Sequence, residues 1–174
     1  YMNQNTDPRT DNAVESTAGE VLSFNQQIAS AKYFSSSCGS LSSDDDIWTY
    51  PDTGQGDSYM TARLETEPPT LCALSSEAAF VDFIRHPEAD TYLEASDPWF
   101  RWQVTLSMTT IRSNISELFA RRMAADPKRF TLLSSDGTVK ADDILQVEVT
   151  ERAASGVLQQ IKLTGRDQEL TVSG

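Results

Sequence analysis

Histidine occurs once in this 174-residue chain and cysteine twice. Neither a basic cluster nor a long apolar run is present. Each scarcity removes a class of function. The single imidazole, His86, stands just before Pro87 at an expected helix end. A nucleophilic triad therefore lacks a positioned base, and His86 reads better as a charge that complements a helix C-terminus. Fourteen Lys and Arg against 26 Asp and Glu give a net charge of −12. That balance argues against a nucleic-acid partner, which requires clustered cations. No apolar run approaches the roughly 20 residues that cross a bilayer, so no transmembrane segment is expected in this chain. Asp44-Asp45-Asp46 lack the alternation and the glycine of a calcium loop and read as a charged, water-facing surface. No metal and no cofactor are expected.

What is present fits one sizeable core, so residues 1–174 are expected to form one domain. Asp7-Pro8 is a helix-start signal, with Asp as cap and Pro at the first helical position, and the helix should run to about Thr17 and end at Gly19. Residues 20–24 and 28–34 read as a hairpin around Asn25-Gln26-Gln27, with Ala29, Ala31 and Tyr33 on one packed face. Prolines and glycines between 49 and 69 mark a long irregular loop. Ser75 then reads as the cap of a helix carrying Phe80, Phe83 and Ile84 and stopping at Pro87. Phe100, Trp102, Val104 and Leu106 alternate with polar residues, the pattern of a half-buried strand, which places Trp102 in the core and leaves Trp99 as a candidate sugar-stacking ring. Ile111, Ile115, Leu118, Phe119 and Met123 form one helix stripe. Three strand-like runs, 144–152, 157–164 and 169–173, predict an antiparallel meander. There is no strict βα alternation. The expected class is α+β, an antiparallel or mixed sheet covered by two or three helices.

The unusual stretch is 35–43, in which Ser35-Ser36-Ser37-Cys38-Gly39 is followed by Ser40, Ser42 and Ser43. Three hydroxyls before a glycine turn make a dense array of donors and acceptors. Serine-rich segments are more commonly solvated loops, and from residue types alone that reading leads.

The order of motifs resembles the stage II sporulation protein D family, peptidoglycan-degrading proteins that share their domain with an amidase enhancer. Arg9-Thr10, Ala13-Val14, Thr17, Gly19, Val21-Leu22 and Phe24 follow the family's entry helix and hairpin. Ala31, Tyr33, Ser35-Ser36-Ser37-Cys38-Gly39 and Trp48 follow its serine-rich motif. Pro98-Trp99-Phe100-Arg101-Trp102, then Val147, Val149, Glu151-Arg152 and Ser155-Gly156, continue the order. Ser42 stands where the family usually has threonine, which keeps a hydroxyl. Ser40 stands where it usually repeats glycine, the residue that reaches positive φ without steric cost.

The resemblance implies a lytic transglycosylase that cleaves glycan strands and leaves a 1,6-anhydro sugar. A single carboxylic acid would protonate the leaving oxygen and then act as base toward the sugar's own hydroxyl. The family carries that glutamate in a helix upstream of these motifs. No matching segment occurs here, nor does the Cys and His metal segment of some members, and Glu15, Glu20 and Glu151 have no claim to the role. The catalytic residue is therefore expected outside this chain. The fragment alone is expected to be inactive, and its own N-terminal segment is a candidate partner. An export signal or anchor is also expected outside it, with the protein working outside the cytoplasm, at the cell wall or sporulation septum. The expected partner is the peptidoglycan glycan strand, bound by Tyr33, Ser35, Ser36, Ser37, Ser42 and Trp48. A Cys38 to Cys72 disulfide is expected from that location, with separate buried thiols as the alternative. Two rival readings remain, a non-catalytic wall-binding module of the amidase-enhancer type and a structural interaction protein.

Overall fold

The structure, a computed structural model, describes residues 7–48, 55–86 and 91–174. Its helices and antiparallel sheets give the α+β class read from the sequence. The chain divides into two compact units, Tyr1–Phe34 and Ser35–Gly174.

In the first unit the capping signal works as expected. The Asp7 carboxylate accepts the Arg9 amide at 2.9 Å and starts α1, Pro8–Ser16. The helix closes at Thr17, and Gly19 follows at φ 84°. The hairpin is much shorter than expected, with β1 at Ser23–Phe24 and β2 at Gln27–Ile28. Its turn is two residues, Asn25 and Gln26, at φ 49° and 65°. Positive φ at both central positions is the geometry of a tight hairpin turn, and it draws Gln27 into the strand. Beyond the Ala29 amide, which reaches Leu22 O at 2.8 Å, the second strand has no ladder. Tyr33 is accordingly 92% exposed, against the packed face expected for it.

The second unit holds a four-stranded antiparallel sheet in the order β6-β9-β8-β7. These strands are β6, Phe130–Ser134, β7, Ile144–Arg152, β8, Leu158–Gly165, and β9, Gln168–Ser173. The meander β7 to β9 follows the expected runs closely; β6 was not anticipated. The core lies under α3, Met108–Ala125, where Ile144, Leu163 and Leu170 are 0%, 5% and 1% exposed. Met108, Ile115 and Phe119 of α3 pack on it, so the predicted stripe meets the sheet through its middle. Phe119 meets Phe130 edge-on with ring centres 5.4 Å apart. Each such side chain contributes roughly 1.5–3 kcal/mol on burial.

Three two-residue strands, β3 at Ser40–Leu41, β4 at Arg63–Leu64 and β5 at Thr70–Leu71, make a second antiparallel sheet. β4 and β5 thus give order to and beyond the stretch expected to be irregular, whose residues 49–54 lie outside the described ones. Helix α2, Glu77–Arg85, is capped by Ser76, one residue later than expected, because it is the Ser76 hydroxyl that accepts the Ala79 amide, at 3.1 Å. Arg152 ties α2 to β7, with Nε 2.6 Å from the Glu77 carboxylate and the guanidinium 3.9 Å above the Phe80 ring.

The strand expected at 100–106 is not formed. Its alternation is real, but no neighbouring strand offers a ladder. Phe100 alone is buried, at 7%, while Trp102 is 72% exposed and Val104 and Leu106 also face outward. Trp102 is therefore not a core residue.

Candidate functional site

The serine-rich turn is fixed by groups from three distant parts of the chain. The Ser37 hydroxyl donates to the Glu65 carboxylate and accepts the Gly39 amide at 2.9 Å. The Ser37 amide donates to the Glu94 carboxylate. Gly39 then turns the chain at φ 94°, where a Cβ would stand 2.7 Å from the Tyr92 ring. Both the dihedral and the ring demand glycine. The carbonyl of Gly39 accepts the Glu65 amide at 3.0 Å, and the carbonyl of Glu65 accepts the Leu93 amide at 3.1 Å. One residue back, Arg101 Nε donates to the Cys38 carbonyl at 3.1 Å and its Nη1 to the Phe83 carbonyl at 2.6 Å. The guanidinium lies 4.3 Å from the Phe83 ring centre and 4.7 Å from that of Phe100. Its Nη2 is buried without a hydrogen-bond partner.

Ser40 does not take the positive φ that glycine would have allowed. It is a strand residue, and its hydroxyl donates to Ser155 O at 2.8 Å and lies 3.2 Å from Cys72 Sγ. The side chain that replaces the family's second glycine thus joins the turn to the 155–156 connection. The expected Cys38 to Cys72 disulfide is not formed; both residues are free, half-buried thiols. Burial pushes the Cys72 thiol above its ordinary pKa, partly opposed by the Ser40 hydroxyl.

The predicted site residues have different fates. Ser35 is exposed, Ser36 and Ser42 are half-buried, and Ser37 has its hydroxyl committed in both directions. Ser37 is thus part of the turn's framework and not a free ligand group. Tyr33 belongs to the first unit. Trp48 presents a half-exposed ring just after a 3-10 turn at Asp44–Asp46. That turn corrects the reading of Asp44 as water-facing, while Asp45 is exposed as expected. Asp44 is 3% exposed and its carboxylate accepts the Asp57 amide at 2.8 Å, while Asp45 accepts the Gly56 amide. The acidic run pins a returning loop. His86 closes α2, with Nδ1 2.9 Å from the Asp82 carbonyl.

Sequence reasoning missed Glu65 and Glu94, which are 28 and 57 residues from the Ser37 they hold. No motif spacing marks them. Burial raises the Glu65 pKa first; the Ser37 hydrogen bond opposes this, and the charge and hydrogen bond of Glu94 add to the rise. Both carboxylates are taken up in holding the turn, one on the Ser37 hydroxyl and one on its amide. Among the described residues no group of three or more His, Cys, Asp or Glu is placed to hold a metal ion, and no helix is long and apolar enough to cross a membrane.

Comparison with family models, curated proteins and solved structures finds no match to the chain.

Proposed function

We propose that the protein binds the glycan strands of peptidoglycan through its serine-rich turn, as part of a stage II sporulation protein D-like lytic transglycosylase domain. Its place of work is outside the cytoplasm, at the cell wall or sporulation septum. What supports this reading is one convergence. Segments that carry the resemblance, far apart in sequence, meet around one turn, with Arg101 on Cys38 O and Ser40 on Ser155 O. Such convergence presents Ser35 and Ser36 on a framework held by internal bonds, which lowers the ordering cost of binding a polyhydroxyl ligand. A chain of net charge −12 meets an anionic wall polymer best through hydroxyls and aromatic faces.

The second reading, a non-catalytic wall-binding module of the amidase-enhancer type, is favoured by the state of Glu65 and Glu94. Both are committed to holding Ser37, so neither is free to protonate a leaving oxygen. Incubating 1–174, with and without the upstream segment, with glycan strands stripped of stem peptides, and analysing the products for anhydro-sugars by mass spectrometry, separates the two: turnover restored only by the upstream piece supports the transglycosylase domain, and no turnover either way supports the binding module. Binding without turnover is expected for this polypeptide. Anhydro products from it would place the acid within these residues and overturn that expectation.

A further inference from the structure

We propose that a polar cavity beside α3 binds a small zwitterion of the amino-acid class, with Arg112 taking its carboxylate and Glu117 and Asp142 its ammonium. The cavity measures about 450 Å³ and is lined by Thr109, Arg112, Ser113, Ser116, Glu117 and Asp142. That volume lies in the range of small-molecule sites. Five of the six residues come from α3 at helical spacing, which sets them on one stripe, and Asp142 comes from the 3-10 turn Ala141–Asp143 just ahead of β7. Ile115 and Phe119, which pack on the core, occupy the neighbouring face of the helix. None of the residues that hold the serine-rich turn lines this cavity, so the site stands or falls independently of glycan binding.

Arg112 sets the chemistry. It is half-buried, and its Nε and Nη2 both donate to the carbonyl of Ile144, at 2.9 and 2.7 Å, which fixes the plane of the guanidinium. Those two bonds use one edge of the group. Nη1 and the outer hydrogen of Nη2 form the other edge, which pairs with a carboxylate through two parallel bonds. Among the described residues no carboxylate takes up that edge: Arg112 joins no ion pair, and neither does Glu117 or Asp142, although the three line one cavity. Opposite charges that share a cavity without meeting leave a gap that a ligand with two charged ends closes. A neutral sugar would leave all three charges unmatched, and a divalent cation would face the guanidinium. With one cation against two carboxylates, the lining favours a ligand that keeps its ammonium over a simple anion. The hydroxyls of Thr109, Ser113 and Ser116 make no hydrogen bond among the described residues and are left for the polar groups between the ligand's charged ends.

The test follows the amide signals of 1–174 by NMR during titration with alanylalanine, with its N-acetyl form, which lacks the ammonium, and with its C-terminal amide, which lacks the carboxylate. Saturable shifts centred on Ser113, Ser116 and Asp142 are expected with the dipeptide, and each capped form should bind at least about fivefold more weakly. Alanine alone separates the two sources of this chemistry: affinity equal to that of the dipeptide assigns the site to a free amino acid, and weaker affinity assigns it to a peptide. Glu117→Gln combined with Asp142→Asn alters two exposed side chains and should keep the fold. In that variant the dipeptide should fall to the affinity of its N-acetyl form, whose own binding stays unchanged. Arg112→Lys should weaken the dipeptide and the N-acetyl form but not the amide, because an ammonium lacks the second parallel bond. Absence of shifts at these residues up to about 50 mM dipeptide, or equal affinity for the zwitterion and both capped forms, would overturn the site.

Discussion

Arg101 Nε lies 3.1 Å from the carbonyl of Cys38, across 63 residues of chain. It joins the serine-rich turn to the end of α2 while its guanidinium rests among Phe83, Tyr92 and Phe100. Arg101→Ala should cost about 3 kcal/mol, since two charge-assisted hydrogen bonds and the ring contacts are lost together. Arg101→Lys should cost about half of that, because an ammonium keeps the charge but not the planar fork. Urea denaturation of the two variants measures both.

Gly39→Ala meets two obstacles, the left-handed backbone and the Tyr92 ring 2.7 Å from the added carbon. The expected loss is about 2 kcal/mol. Combining it with Tyr92→Ala relieves the clash but leaves the dihedral strain. Thermal melts of the double variant should therefore show no recovery to the level of Tyr92→Ala alone.

Leu170 and Tyr33 should respond in opposite ways to the same truncation. Leu170→Ala empties a site that is 1% exposed and should cost about 3–5 kcal/mol. Tyr33→Ala, at a ring that is 92% exposed, should change stability by no more than about 0.5 kcal/mol. Denaturant midpoints of the two variants check the assignment of the core to the sheet and α3.

Free thiols at Cys38 and Cys72 predict two titratable sulfhydryls per chain without reductant. Burial raises the Cys72 pKa, so its alkylation should be slow at neutral pH and speed up as pH rises. Iodoacetamide labelling followed by peptide mass spectrometry reads the count and the pH dependence. Fewer than two reactive sulfhydryls after unfolding would restore the disulfide expected from the sequence.

The parts of the fold that were legible are those in which local chemistry decides. Asp7-Pro8 writes its own helix start, Ile115 and Phe119 fall on one helix face, and Ser155-Gly156 separates two long alternating runs. The alternation of Trp102, Val104 and Leu106 carried the same signal yet formed no strand, because a strand exists only with a partner and periodicity does not name one. Short β4 and β6 gave too few residues for a period to register. At the site, Gly39 and the serines were visible as a cluster, but their holders Glu65 and Glu94 were not. Contacts spanning 28 and 57 residues are set by tertiary packing, and a lone glutamate beside a loop has no distinguishing local pattern. The disulfide failed as an expectation for a related reason: a count of two cysteines permits a pairing, while geometry decides it.

Glycan binding at the turn is read by calorimetric titration of 1–174 with peptide-free glycan strands, beside a Ser35→Ala/Ser36→Ala variant whose fold is checked by circular dichroism. Neither hydroxyl is committed to holding Glu65 or Glu94, so the variant should keep its fold. Saturable binding is expected, nearly independent of salt, as hydroxyl and aromatic contacts require, and at least about tenfold weaker in the variant, equivalent to about 1.4 kcal/mol. Absence of binding, or equal affinity in the folded variant, would contradict it and return the serine run to the role of a solvated loop.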